Sequence, residues 1–83
     1  MIFTQHALDK LDVYGISPEW VDELTESPIH DFRDVIEGSR IVVVKSQEIL
    51  LAIVVEPDGE RVITVYRTDV RTIENRRKAG RWV

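Results

Sequence analysis

The sequence predicts an α+β fold in which two N-terminal helices pack on a four-stranded, mainly antiparallel twisted sheet, and a short basic helix ends the chain. Three observations predict it. Two capped segments with helical apolar spacing precede residue 28, and the period changes to two from Ile29 onward. Gly38, Ser46-Gln47 and Pro57-Asp58-Gly59-Glu60 then punctuate β-rich runs. At 83 residues the chain reads as a single domain, residues 1–83, near the lower limit of what folds alone.

The first helix spans about 5–14. Thr4 is a good N-cap, Phe3 and Leu8 have the spacing of a hydrophobic staple, and Leu8, Leu11 and Tyr14 share one face until Gly15. Ser17-Pro18-Glu19 opens the second helix with a cap, a proline at the first helical position and an acid in the first turn. It runs to about Glu26, with Trp20, Val21 and Leu24 as core residues. Strands follow over about 29–36, 40–45, 48–56 and 61–67. The second and third are apolar on both faces, which is the pattern of strands covered on both sides. The N-terminal helices can cover one face; the C-terminal helix, a second copy or another protein must cover part of the other. After the last strand, Thr68 or Asp69 caps a short helix over about 70–79 that ends at Gly80. Trp82 returns to the core as an anchor in preference to standing exposed as a stacking platform.

Charge is distributed unevenly. Residues 61–83 hold seven Lys or Arg against Asp69 and Glu74, whereas residues 1–60 hold four basic residues against thirteen acidic ones. Such asymmetry points to a local surface for polyanions, with pairing between the basic tail and the acidic helices as the competing explanation. The absence of cysteine excludes disulfides, thiolate metal sites and Cys nucleophiles. No apolar run approaches the length of a membrane span and no leader pattern is seen, so a cytoplasmic protein is expected. No Gly-rich phosphate loop is present, and two histidines without cysteine offer little to a transition metal; no cofactor and no metal are implied. Asp31 and Asp34 near His30 suit a solvated edge strand better than a divalent-ion site.

The remaining polar groups suit phosphate and proton chemistry: His6, Lys10, Arg40, Lys45, Thr64, Tyr66, Arg67, Arg71 and the tail arginines, Arg77 among them. RNA is cleaved without metal when its own 2′-hydroxyl attacks the adjacent phosphorus, given a base, an acid and cations around the phosphorane. His6 is the best proton-transfer group, and its place in the first turn of a helix suits a neutral base. Alternation along 61–67 puts Val62, Thr64 and Tyr66 on one side and Arg61, Ile63, Val65 and Arg67 on the other, with Ile63 and Val65 as core. Arg40 and Lys45 flank a central strand.

The pair His6-Ala7, the run Gly15-Ile16-Ser17-Pro18-Glu19 and the last strand Val62-Ile63-Thr64-Val65-Tyr66-Arg67 resemble small proteins of the barnase–EndoU–colicin–RelE-like clan. The resemblance covers about residues 3–78. It implies a RelE-like domain with helices on one sheet face and a cleft on the other, and a toxin-like ribonuclease often paired with an antitoxin. Carried over, it nominates His6, Thr64, Tyr66 and Arg67 as catalytic, with Arg71 in support; Lys10, Arg40, Lys45 and Arg77 are added as substrate-binding from charge and position. A metal-independent endoribonuclease of this kind predicts His6 facing Thr64 or Tyr66 across a cleft. A non-catalytic interaction module predicts His6 far from the last strand and another chain, a second copy or an antitoxin-like partner, on the apolar sheet face. RNA binding without cleavage needs Trp82 or Tyr66 exposed beside arginines.

Overall fold

The computed structural model describes residues 1–59 and 61–83; Glu60, which the sequence places in the last turn, lies outside the described residues. The elements are β1 (Ile2–Phe3), α1 (Gln5–Tyr14), α2 (Pro18–Leu24), β2 (His30–Arg33), β3 (Arg40–Ser46), β4 (Ile49–Val55), β5 (Arg61–Thr68) and α3 (Val70–Lys78). The sheet has five strands in the order β1-β5-β4-β3-β2. Its β2, β3, β4 and β5 are antiparallel neighbours, as expected, but β1 adds a short parallel strand beside Arg61 and Val62. Two residues give no readable alternation, so β1 has no signature in the sequence.

Both N-terminal helices start where the caps place them. The Thr4 hydroxyl accepts the Ala7 N–H at 3.1 Å, and the Ser17 hydroxyl accepts the Trp20 N–H at 3.1 Å. Gly15 closes α1 at φ 69°, a left-handed position that a side chain would strain. Removing the α2 cap with Ser17→Ala is expected to cost about 1 kcal/mol, seen as a fall of roughly 4–8 °C in melting temperature. A shift within error would show that tertiary packing alone holds that helix end.

The sheet separates two cores. On one face α1 and α2 bury Ala7, Leu11 and Val21 against Val42, Val44, Leu51, Ile53, Val55, Val62 and Val65. On the other, α3 and the C-terminal segment bury Ile73 and Trp82 against Phe32, Ile41, Val43 and Ala52. The doubly apolar β3 and β4 are therefore covered on both sides by this chain itself, and the resemblance's open sheet face is corrected: α3 lies on it. An apolar face left for a second copy or an antitoxin no longer follows from these strands. Trp82 is the anchor, 2 % exposed.

Residues 81–83 also close the outer edge of β2. Arg33 and Val83 exchange backbone hydrogen bonds at 2.9 and 3.0 Å, and the Val35 N–H donates to the Arg81 carbonyl at 2.9 Å. An edge strand covered in this way offers no template for another chain. The tail that looked like a basic appendage is part of the sheet.

Candidate nucleic-acid interface

The decisive local feature is a β-bulge in β5. Val55 pairs with Val62, yet Val54 pairs with Thr64, so Ile63 is an extra residue. Val62 and Val65 consequently point to the same core, and Ile63 is 37 % exposed. Strict alternation had put Ile63 in the core and Val62 outside it; the bulge reverses both. Beyond the bulge, Thr64 and Tyr66 face the α3 side, whereas Arg67 belongs to the α1 side.

Helix α1 runs alongside β5 in the same direction. At its start the Thr4 N–H donates to the Val62 carbonyl at 3.0 Å and the Thr4 hydroxyl donates to the Ile63 carbonyl at 2.7 Å. At its end the Tyr14 hydroxyl accepts the Arg67 N–H at 3.2 Å. Residues four apart lie on one helical ridge, so His6, Lys10 and Tyr14 follow one another along this margin. Lys10 Nζ stands 5.5 Å from the centre of the Tyr14 ring, and His6 is exposed. Val65 of β5 is fully buried in the core that includes Ala7 and Leu11 of α1.

On the α3 side Tyr66 is half-buried, with Arg76, Arg81 and Asp34 around its hydroxyl. Burial pushes this phenol above its ordinary value, and Arg76 and Arg81 pull it down by less; Asp34 adds to the upward push. The Arg76 guanidinium lies 5.5 Å from the centre of the Trp82 ring. Arg81 Nε donates to both carboxylate oxygens of Asp34 at 3.2 and 3.4 Å, and Asp34 Oδ1 also accepts the N–H groups of Ile36 at 3.0 Å and Glu37 at 3.1 Å.

The nominated residues thus divide into five places. His6, Lys10 and Arg67 lie along the α1 side of β5, and Thr64 and Tyr66 leave its other face. The expected cleft with His6 on one wall and both hydroxyl residues on the other is not present; the margin of β5 lies between them. Lys45 and Arg77 meet in a groove on the opposite flank of α3, together with His30, Glu48 and Glu74 over Ile29, Leu50, Val70 and Ile73. Arg71 is exposed in the first turn of α3. Arg40 is already engaged: its Nε and Nη2 form a fork on Asp31 at 2.8 and 2.6 Å, which holds the Asp31 carboxyl below its usual range. Asp34 is not a solvated edge residue, being 4 % exposed. With Asp31 on Arg40 and Asp34 on Arg81, neither carboxylate is held ready for a cation, and among the described residues no three His, Cys, Asp or Glu side chains gather as metal ligands.

Arg76 and Arg81 belong to the tail arginines selected for charge, but their place near Tyr66, together with Asp34, was not expected. Its signal was the Gly80 helix stop before Arg81-Trp82, which turns the chain back and lets a tail arginine return to the sheet.

No curated protein and no solved structure matches the chain. Residues 3–67 match a domain of unknown function, DUF4258, from β1 through Arg67 of β5, leaving α3 and the C-terminal segment outside the match. Since that match covers well over half of its length, the chain belongs to the DUF4258 family.

Proposed function

We propose that this domain engages RNA along the outer margin of β5. The observation that carries the reading is the gathering of hydrogen-bonding and cationic groups on both sides of that one strand: His6, Lys10 and Arg67 with α1, and Thr64 and Tyr66 on the α3 side, where Arg76 acts on the Tyr66 hydroxyl. A single-stranded polyanion lying along the margin meets cations and the half-buried Tyr66, and cations and aromatic rings are usual parts of such surfaces. The overall charge of −4 confines binding to this local surface and makes it sensitive to salt.

Cleavage is the second reading, as a metal-independent endoribonuclease of toxin type related to the barnase–EndoU–colicin–RelE-like clan. One feature favours it: His6 is exposed in the first turn of α1, whose cap Thr4 is hydrogen-bonded to Val62 and Ile63, so a proton-transfer group belongs to the helix end tied to the strand stretch that precedes Thr64. In this scheme His6 takes the 2′-hydroxyl proton, the oxygen attacks phosphorus, the bond to the 5′-oxygen breaks with that oxygen protonated by solvent, and Arg67 offsets charge on the phosphorane. The non-catalytic protein-interaction reading is weaker, because its apolar face is filled by α3 and Trp82.

Binding of a fluorescent single-stranded RNA, with the same RNA then run on a gel for fragments, tests both. Arg67→Ala is expected to weaken binding several-fold. His6→Ala is expected to lower cleavage by about 10²–10⁴-fold with an unchanged melting temperature, since the side chain is exposed. Bound but intact RNA would leave the binding reading and remove the nuclease. Absence of binding at low salt would remove both.

A further inference from the structure

We infer that Arg76, Arg81 and the Tyr66 hydroxyl form an oxyanion subsite that holds one phosphate group on the α3 face of the sheet. This deepens the RNA reading by naming the group held and the residues that hold it, and it places them largely in the C-terminal segment, outside the stretch shared with the family.

Donors outnumber acceptors at this point. Asp34 is the nearby carboxylate, and its oxygens are already taken by two backbone N–H groups and by Arg81 Nε. Arg81 uses only its Nε there, which leaves its terminal nitrogens directed elsewhere; a guanidinium held by one edge keeps the other for a ligand. Arg76 has no carboxylate partner among the described residues and lies on the Trp82 ring, a support that fixes its plane without neutralising its charge. The ring beneath it has its own unused donor: Trp82 is 2 % exposed, and its indole N–H has no acceptor among the described residues. A surface recess lined by Thr72, Asn75, Arg76, Ala79 and Arg81 gives access to both guanidinium groups. The Tyr66 phenol remains protonated at neutral pH and so acts as a donor.

The carbonyl end of α3 would ordinarily repel an anion here. It is capped instead. The Arg76 carbonyl accepts the N–H groups of Arg81 at 2.9 Å and Trp82 at 3.3 Å, the Arg77 carbonyl accepts that of Gly80 at 3.0 Å, and the Asn75 carbonyl accepts that of Ala79 at 3.0 Å. Two arginines at this end therefore set the sign of the local field.

A phosphodiester within RNA and a free or terminal phosphate share this chemistry, so the test carries an arm for each. Inorganic phosphate, adenosine 5′-monophosphate and the dinucleoside monophosphate ApA are titrated at constant ionic strength against ¹⁵N-labelled protein, following the two tryptophan indole cross-peaks. The Trp82 indole is expected to shift saturably. The Trp20 indole, whose N–H donates to the Ser46 hydroxyl at 3.2 Å, serves as the internal control. Arg76→Gln is expected to weaken the response by about tenfold, the loss of one charge-assisted contact. Tyr66→Phe, which deletes a single oxygen and leaves the charge, is expected to weaken it less. A saturable response to phosphate and the monophosphate without one to ApA supports the subsite and overturns the RNA backbone as its source. No saturable Trp82 shift with any of the three overturns the subsite, as does a response that Arg76→Gln and Tyr66→Phe both leave unaltered. Because RNA binding is read separately, on the fluorescent oligonucleotide, RNA that binds with a silent Trp82 indole sinks the subsite alone.

Discussion

Trp82→Ala is expected to destabilise the domain by about 3–5 kcal/mol, the largest effect of any single substitution considered for this chain. A domain of this length has roughly 4–12 kcal/mol of stability in all, so the loss takes about a quarter of it or more. The size follows from two contacts made by one side chain and from the aromatic stack it continues. Its ring stacks on Phe32 with centroids 5.6 Å apart, Phe32 stacks on His30 at 4.9 Å, and Arg76 lies across its face. Trp82 also carries residues 81–83 onto β2, so its loss frees the strand edge as well as opening a cavity. Urea unfolding measures the change. Trp82→Phe should recover much of it, because the indole N–H makes no hydrogen bond that phenylalanine would forfeit. A cost under about 1 kcal/mol for Trp82→Ala would show that the C-terminal segment is not docked as described.

Asp34→Asn carries the second large effect, expected at about 2 kcal/mol, and it is dependent on pH. Burial pushes the Asp34 carboxyl up, but the N–H groups of Glu37 and Ile36 and the Arg81 guanidinium outweigh it, so the group lies below its ordinary value of 3.8. A carboxyl depressed in the folded state contributes its stability in full above the unfolded value and loses it as pH falls through the folded one. The stability gap between the native chain and Asp34→Asn should therefore be constant from neutral pH down to about 5 and close below about 3.8. The asparagine keeps an oxygen for the two backbone donors and removes only the charge opposite Arg81. A gap that persists undiminished at the acid end would assign the role of Asp34 to turn geometry and not to its charge.

How far the sequence could be read differed from element to element. Helix ends were legible because caps are local: Thr4, Ser17 and Asp69 each accept an N–H three residues on, and three positions of sequence contain the whole interaction. The four antiparallel strands were legible because turn residues bound them. Lys45 and Arg77 were both selected for charge, but their meeting beside His30 depends on where α3 crosses the sheet. Arg40 was selected on the same ground and proves to be spoken for by Asp31, a pairing that needs the β2–β3 register to be known.

The sequence by itself determined the α+β class, the extents of α1 and α3, and the need for cover on both faces of β3 and β4. All of these rest on local hydrogen bonds or on apolar periodicity, and both are written within a few residues. Only the tertiary structure decided which segment supplies the second cover, where β1 joins the sheet and which way each β5 side chain points. A single bulge at Ile63 reversed the facing of Val62, and one returning turn at Gly80 brought Arg81 to Asp34 across 47 positions of chain. Contacts between distant residues depend on register and on chain reversal, and a change of one residue in either moves every later side chain to the other face.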